Sequence, residues 1–256
     1  MRTITDEILA LLRDPDTGER LELNGDCLTN AKSGVRYAIR EGIPVFVTAA
    51  SGLNRKYQEL YDRIAGLYDP ALRLARWIRF NKDLRMEYIR ELEIPARARV
   101  LEVSVGTGAN LAYFPADAEL FGLDLSWGML QRCRKNQRRR RRAAWLFHGE
   151  AERLPFGDAV FDVVFHVGGI NFFNDKRRAI DEMIRVARPC TKFVIVDETE
   201  RVVQHSYERL PVLRRYFRNR QEAVTDPSAL VPAEMREIRC REILWGKLYC
   251  LTFRKP

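Results

Sequence analysis

From Arg99 onward, apolar runs of strand length alternate with segments whose apolar residues recur every three or four positions, the pattern of strands and helices in turn. The runs predict strands near Val100 to Ser104, Leu120 to Asp124, Ala144 to His148, Phe161 to His166 and Lys192 to Asp197. Between the last two, Asn174 offers a cap to a helix with Ile180, Met183, Ile184 and Ala187 on one face, and Pro189 stops it. This is a doubly wound α/β pattern. The stretch from Arg236 to Ile243, the turn at Trp245 and Gly246, and the stretch from Lys247 to Phe253 predict an antiparallel hairpin added to a sheet edge.

Upstream the rhythm is different. Residues 1–48 predict a small α+β module: a short helix through Ile4, Ile8, Leu9 and Leu12, then strands at Arg20 to Leu23 and Val35 to Ile39, with turns at 14–18 and at Asn24-Gly25. The small residues from Thr48 to Gly52 mark a linker. Beyond it, Tyr57, Leu60, Tyr61, Ile64 and Leu67 stand at helical offsets, so one face of this helix is expected to pack on the main domain. The division is therefore 1–48, a helical lead-in at 49–98, and the α/β domain at 99–256.

Composition narrows the function classes. A chain of 256 residues with 46% hydrophobic and 31% charged residues suits a soluble globular protein. No apolar run approaches the roughly 20 residues of a membrane span, and Asp6 and Glu7 interrupt any secretion-signal pattern, so a cytoplasmic address is expected. Five scattered cysteines, never spaced CxxC, predict reduced thiols with neither disulfides nor a zinc site. The formal charge of +9 resides almost wholly in Arg132 to Arg142, where eight basic residues meet no acid. Any polyanion binding must rest on that one run.

The candidate chemistry sits at the strand ends. Glu102-Val-Ser-Val-Gly-Thr-Gly108 puts an acid and two glycines in a strand-to-helix turn. A dinucleotide fingerprint needs glycine where Leu111 stands, so a pyrophosphate turn is not supported. The backbone N–H groups of Gly106 and Gly108 can instead approach a small anion such as an amino-acid carboxylate, and Glu102 can accept from an ammonium. Asp124, ending the second strand, can accept from both hydroxyls of a ribose. In Gly149-Glu-Ala-Glu-Arg-Leu-Pro-Phe156, Glu150 can accept from an exocyclic amine while Leu154 and Phe156 flank a flat base.

In order, the blocks EVSVGTG, GLDLS, GEAERLPF and FDVVFHVGGINFFNDKRRAIDEMIRVARP resemble the class I S-adenosylmethionine-dependent methyltransferases. The last block, with Tyr61-Asp-Arg-Ile-Ala-Gly-Leu-Tyr-Asp69, looks most like the branch of the ubiquinone and menaquinone C-methyltransferases. The resemblance implies a Rossmann-like seven-stranded sheet, mostly parallel with an antiparallel edge hairpin. It implies S-adenosyl-L-methionine as cofactor, S-adenosyl-L-homocysteine as product, and no metal. It places Glu102, Ser104, Gly106 and Gly108 around the methionine part, Asp124 at the ribose with Leu125 beside it in the cofactor site, and Glu150 and Ala151 at the adenine. Tyr61 and Tyr68, on the helical aromatic stripe, are candidates for the methyl donor's edge, against the alternative of core packing. Ser104 departs from the family's usual glycine, and Cys190-Thr191 from its usual glycine pair.

Residues 1–48 also resemble the zinc-ribbon partner and fusion modules of methyltransferases, with Asp14, Thr17, Asn30 and Ser33 where cysteines are usual. Zinc needs thiolate or imidazole, so a degenerate, metal-free ribbon is expected. His166, ending the fourth strand, is the candidate general base, against the alternative of a structural hydrogen bond. His205 and Tyr207 fall in the insert where this class often binds substrate. The resulting expectation is methyl transfer to a small-molecule acceptor by in-line displacement, in which positioning and desolvation supply most of the rate. Two alternatives stand beside it: an RNA methyltransferase using Arg138 to Arg142, and a non-catalytic methyltransferase-like partner protein.

Overall fold

In the computed structural model Thr5 caps α1 (Asp6–Leu11), its hydroxyl accepting the Ile8 N–H. The structure describes residues 3–47, 50–78, 85–204, 224 and 226–256, and of 67–78 the backbone alone. His205 and Tyr207, and the side chain of Tyr68, lie outside the described residues.

A small antiparallel sheet follows α1, in the order β1 (Glu22–Asn24), β2 (Cys27–Thr29), β3 (Arg36–Arg40) and β4 (Ile43–Pro44). Gly25, at φ +64°, makes the tight β1–β2 turn, which brings Asn24 opposite Cys27. The helix predicted around Tyr57 is α2 (Gly52–Ile78), and a short α3 (Met86–Ile89) leads into the main sheet.

That sheet contains β5 (Arg99–Val103), β6 (Glu119–Asp124), β7 (Trp145–His148), β8 (Val163–Val167) and β9 (Lys192–Glu198), all parallel, and the hairpin β10 (Arg236–Ile243) and β11 (Leu248–Arg254). Its order is β10-β11-β9-β8-β5-β6-β7, with β11 antiparallel to β9. Helices α4 (Trp127–Arg140) and α5 (Lys176–Val186) are crossovers. The seven-stranded, mostly parallel sheet with an antiparallel edge is the fold the sequence predicts. Successive strands are added outward on one side from β5 and on the other from β8, so the crevice at the carboxyl ends of these two parallel strands is the switch point where α/β sheets bind ligands.

Central strands are apolar on both faces because helices cover both sides. Phe121, Phe147, Phe156 and Phe161 are wholly buried, with Phe156 edge-on to the other three at 4.9–6.3 Å. Each such ring contributes about 1.5–3 kcal/mol on burial. Ile8, Leu12, Leu28 and Phe46 join the same cluster. Phe46 N–H donates to the His148 carbonyl at 2.7 Å and Val45 pairs in parallel with His148, so the first 47 residues also cover the outer edge of β7.

One helix start differs from expectation. Asp175 caps α5, accepting the Arg178 N–H at 2.8 Å, whereas Asn174 serves the start of α2: its side-chain oxygen accepts from Leu53 at 2.7 Å and its amide donates to the Ser51 carbonyl at 3.0 Å. Neighbouring cap-competent residues are thus divided between two helices.

Asp14, Thr17, Asn30 and Ser33 form a hydrogen-bonded clasp. Asp14 accepts from the Asp16 and Thr17 N–H groups through one oxygen and from the Asn30 amide, at 2.7 Å, through the other. The Asn30 amide also donates to Thr17 Oγ1, while its oxygen accepts from Lys32 and Ser33 N–H. Asn30 therefore makes all four of its hydrogen bonds while almost fully buried.

Candidate functional site

At the carboxyl ends of β5 and β6 the strands give way to two turns that share one acid. Asp124 accepts the Gly106 N–H at 2.7 Å through Oδ2 and the Ser126 N–H at 2.8 Å through Oδ1. Ser126 in turn caps α4, its hydroxyl accepting from Met129 at 3.1 Å. Burial pushes the Asp124 carboxyl up to about 6 despite these two donors.

Glu102 lies deeper, almost fully buried on β5. Its Oε1 accepts the Asn110 amide at 2.6 Å, and the Asn110 oxygen accepts the Tyr88 hydroxyl at 3.1 Å. Its Oε2 has no partner among the described residues. Burial raises its pKa to about 8, with the neighbouring Asp124 adding to the rise and Asn110 and Arg85 opposing it. An unpaired buried carboxylate oxygen is costly, and a cationic ligand is what would relieve it.

Both acids line a cavity of about 420 Å³. Ser104, Gly106, Leu125 and Tyr61 line it too. Gly106 sits at φ +53°, with open space where a Cβ would be, so its missing side chain leaves room at the cavity. Ser104 adopts φ +62°, the left-handed region its glycine counterparts enter freely. The opposite wall is apolar: Leu60, Ile64 and Phe173, with Tyr57 stacked on Phe172 at 4.5 Å.

Several expected positions fall elsewhere. Gly108 does not line the cavity: at φ +71° a Cβ there would meet Cys133 Sγ at 2.6 Å, so this glycine permits close packing of the turn on α4. Its N–H donates to the Val105 carbonyl at 2.9 Å, and that of Gly106 is held by Asp124, so neither is poised for a carboxylate. Glu150 pairs with Arg153, and Ala151 packs in the core; neither lines the cavity. Leu154 and Phe156 are core residues rather than a platform for a base.

His166, expected as a general base or as a structural hydrogen-bonding residue, is engaged on both sides of its ring. It is fully buried, its Nδ1 bonds the Val103 carbonyl at 3.0 Å, and its Nε2 accepts the Ile170 N–H at 3.0 Å. Burial lowers its pKa to about 4. Both ring nitrogens are occupied, so the imidazole holds the turn after β8 and has no lone pair left for a substrate proton.

Asp197, which the sequence did not single out, shares that task. It accepts the Asn171 N–H at 2.8 Å and the Glu198 N–H at 2.9 Å, and Tyr249 bonds the Asn171 side chain. Gly168 and Gly169, at φ +82° and +113°, let this turn bend toward the cavity they line. Burial and the adjoining Glu198 raise the Asp197 pKa. Arg85, Asn110 and Tyr88, also unforeseen, stand around Glu102.

Much of the arginine run has structural partners. Arg142 donates to the carbonyls of Leu111, Phe114, Pro115 and Ala116, Arg140 to that of Gly108, and Arg134 pairs with Glu41. Among the described residues, no helix is long and apolar enough to cross a membrane, and no cluster of three or more metal-ligating side chains occurs.

The site combines a doubly wound sheet with a switch point at which a glycine turn meets two buried acids, the place where α/β sheets bind ligands. Residues 101–195 match the family described as "Methyltransferase domain". The chain is 30% identical over 149 residues, 56% of its length, to a demethylmenaquinone methyltransferase of Lactiplantibacillus plantarum, of which it spans 62%. A solved methyltransferase of Thermotoga maritima, titled a possible histamine N-methyltransferase, has a TM-score of 0.59 at 18% identity, covering 78% of this chain and 99% of its own. The cyclase SpnF reaches 0.60 at 17% identity, covering 85% and 99%. These two structures support the fold alone, and the cyclase shows that the fold is not confined to proteins named as methyltransferases.

Proposed function

We propose that this protein transfers the methyl group of S-adenosylmethionine to a small, largely apolar acceptor. The observation that carries the reading is the unpartnered Oε2 of Glu102, buried in the same cavity as Asp124. It is an acceptor suited to an ammonium, in the same cavity as a second carboxylate-bearing turn. Asp124 keeps lone pairs free beyond its two backbone bonds, and these suit ribose hydroxyls.

When bound, the cofactor supplies an electrophilic methyl on a sulfonium, whose departure as a neutral sulfide needs no acid. The chain's own residues then hold and exclude. The turn from Gly168 to Phe172, held from behind by His166 and Asp197, gives the acceptor a rigid floor. Tyr57, Tyr61 and Phe172 give it an apolar wall that keeps water out. A quinone-like ring suits that wall, and the Lactiplantibacillus relative named for demethylmenaquinone supports the same class. Of the run from Arg138 to Arg142 on which the RNA alternative rests, Arg140 and Arg142 are engaged by the chain itself.

The test supplies S-adenosylmethionine with a labelled methyl to the protein, together with a cellular small-molecule extract or, separately, with total RNA. Label in the organic-extractable fraction is the expected result. Label in RNA alone, or no cofactor binding by calorimetry, overturns the proposal.

A further inference from the structure

The far end of the cavity holds a second pair of carboxyls, which the proposed cofactor contacts do not use. Asp197 and Glu198 are consecutive at the carboxyl end of β9, and both line the cavity. In the sheet order β9-β8-β5 they stand two strands away from Glu102, about 10 Å across the sheet. Glu102, with its unpartnered oxygen, and Asp124 thus serve one end of a bound ligand, and Asp197 and Glu198 face what lies beyond it.

Asp197 is almost wholly buried, and the backbone occupies its oxygens: it accepts the Asn171 N–H at 2.8 Å, the Glu198 N–H at 2.9 Å and the Gly169 N–H. Its carboxyl also bonds that of Glu198, and two carboxyls can bond one another only when one of them carries a proton. Burial and the adjoining Glu198 raise the Asp197 pKa, so the proton belongs to Asp197 and the negative charge to Glu198. Glu198 is half-buried, and its carbonyl accepts the Asn171 amide at 2.8 Å. From β11 the Tyr249 hydroxyl bonds the Asn171 oxygen, and Leu248, opposite Glu198 in the ladder, lines the cavity. Glu200 bonds Gln204 and the Val224 N–H, and the other charged groups lining the cavity among the described residues, Glu102, Asp124 and Arg85, belong to the cofactor end.

We propose that Glu198 is the catalytic base of the methyl transfer, with Asp197 as the positioning residue that holds it, and that the acceptor is an aromatic ring bearing an ionisable hydroxyl. This deepens the proposed function and rests on it. The acceptor's O–H bond breaks and its proton passes to Glu198. The electron pair left on that oxygen forms the new bond to the methyl group, and the S–CH3 bond breaks with its pair left on sulfur as the neutral sulfide. The sulfonium and carboxylate charges vanish together, so the step leaves no new buried charge. A phenol-type hydroxyl ionises near pH 10 in water, to within about a unit, so at neutral pH it needs a base within reach. The apolar wall of Tyr57, Tyr61 and Phe172 suits its ring.

The test gives the full-length protein S-adenosylmethionine with a labelled methyl and the small-molecule extract, and follows initial labelling rates from neutral to alkaline pH. Glu198→Gln is expected to lower the rate at neutral pH by about 100- to 10,000-fold, the contribution of a positioned base, while S-adenosylhomocysteine binding by calorimetry stays within about twofold. The deficit should shrink as pH approaches the ionisation of the hydroxyl, because an ionised acceptor needs no base, whereas a merely structural role would leave the deficit constant. Glu198→Asp keeps a carboxylate one methylene shorter and should retain part of the rate. Thermal melting checks that both variants fold, and the aspartate variant's rate against pH decides should the glutamine variant not. A glutamine variant that keeps more than about a third of the wild-type rate, loses S-adenosylhomocysteine binding, or shows a deficit independent of pH overturns the assignment. Labelled product that extracts into dilute acid is an amine and overturns the hydroxyl class of acceptor. A wild type that binds S-adenosylhomocysteine yet labels nothing in the extract instead refutes the small-molecule methyl transfer itself, and the two failures are distinct.

Discussion

Asp124 accepts the backbone N–H of Gly106 at 2.7 Å, joining the turn after β5 to the end of β6. The side chain proposed to hold a ribose is thus also the one that shapes the glycine turn, and the two roles can be separated by substitution. Asp124→Asn keeps the shape but offers one oxygen where two N–H groups need acceptors, so an amide N–H must face that of Gly106 or Ser126. We expect a stability loss of about 1–3 kcal/mol in urea unfolding, together with at least about tenfold weaker binding of S-adenosylhomocysteine. An unchanged unfolding midpoint would show that the tie between the turns is not needed.

Glu102 predicts a pH dependence whose sign is set by burial. Its pKa rises from 4.5 to about 8, so between these values the unfolded chain has released a proton that the folded chain still holds. Its contribution to stability is therefore present below about pH 4.5 and is lost progressively as pH rises toward 8. A ligand ammonium reverses the preference by favouring the carboxylate, so binding releases a proton and strengthens with pH over the same range while the ligand amine stays charged. Glu102→Gln should flatten the melting-temperature profile of the free protein between pH 5 and 8 and weaken binding by about 10- to 100-fold. Proton release is measured by calorimetry in buffers of different ionisation enthalpy. A Gln variant that binds as tightly as the wild type would remove Glu102 from the cofactor site.

His166 is expected to affect stability before catalysis. With its pKa lowered from 6.5 to about 4, the folded protein holds it neutral, so its stabilising contribution is present above pH 6.5 and is lost as pH falls toward 4. His166→Ala leaves the Ile170 N–H and the Val103 carbonyl without their partner, at a cost of about 1–3 kcal/mol for each buried group not rescued by water. The rate profile of the wild type should carry no ionisation from this residue near neutrality. A kcat collapse in a His166 variant with wild-type stability and wild-type cofactor affinity would restore the general-base role.

The parts legible in the sequence were those in which one residue's own neighbours decide the outcome. Apolar runs marked β5, β6, β8 and β9 because strands covered on both faces must be apolar throughout, and the Trp245-Gly246 turn marked the edge hairpin. Strand β2 was missed because Cys27 to Thr29 is too short to display a period. Leu154 and Phe156 misled because an apolar loop residue reads equally as a ligand platform or a core anchor, and only the packing against Phe121 and Phe161 decides. Arg85 and Asp197 carried no local signal: each acquires meaning from strands and helices far away in sequence. His166 was found at the correct strand end, but its orientation depends on the Ile170 N–H, which the turn after β8 brings back to it.

The clasp between Asp14 and Asn30 gives the last prediction. Hydrogen bonds join the two turns 14–18 and 30–34, and the turns match: Gly18 N–H returns to the Asp14 carbonyl and Gly34 N–H to that of Asn30, both at 2.8 Å. Both glycines sit at φ +74° with open space beyond, so the backbone of each knuckle is held independently of what joins them. Asn30→Ala should therefore loosen the link, costing about 1–3 kcal/mol through the Asp14 oxygen it leaves unpaired. Adding Asp14→Cys, Thr17→Cys, Asn30→Cys and Ser33→Cys together should instead install four thiolates on turns already facing one another, and the variant should take up one zinc per chain and melt at higher temperature with the metal than without. Metal content by mass spectrometry and melting with and without chelator decide it. A four-cysteine variant that folds yet takes up no zinc would show that the two turns, although alike, are set too far apart or at the wrong angle for a tetrahedral site.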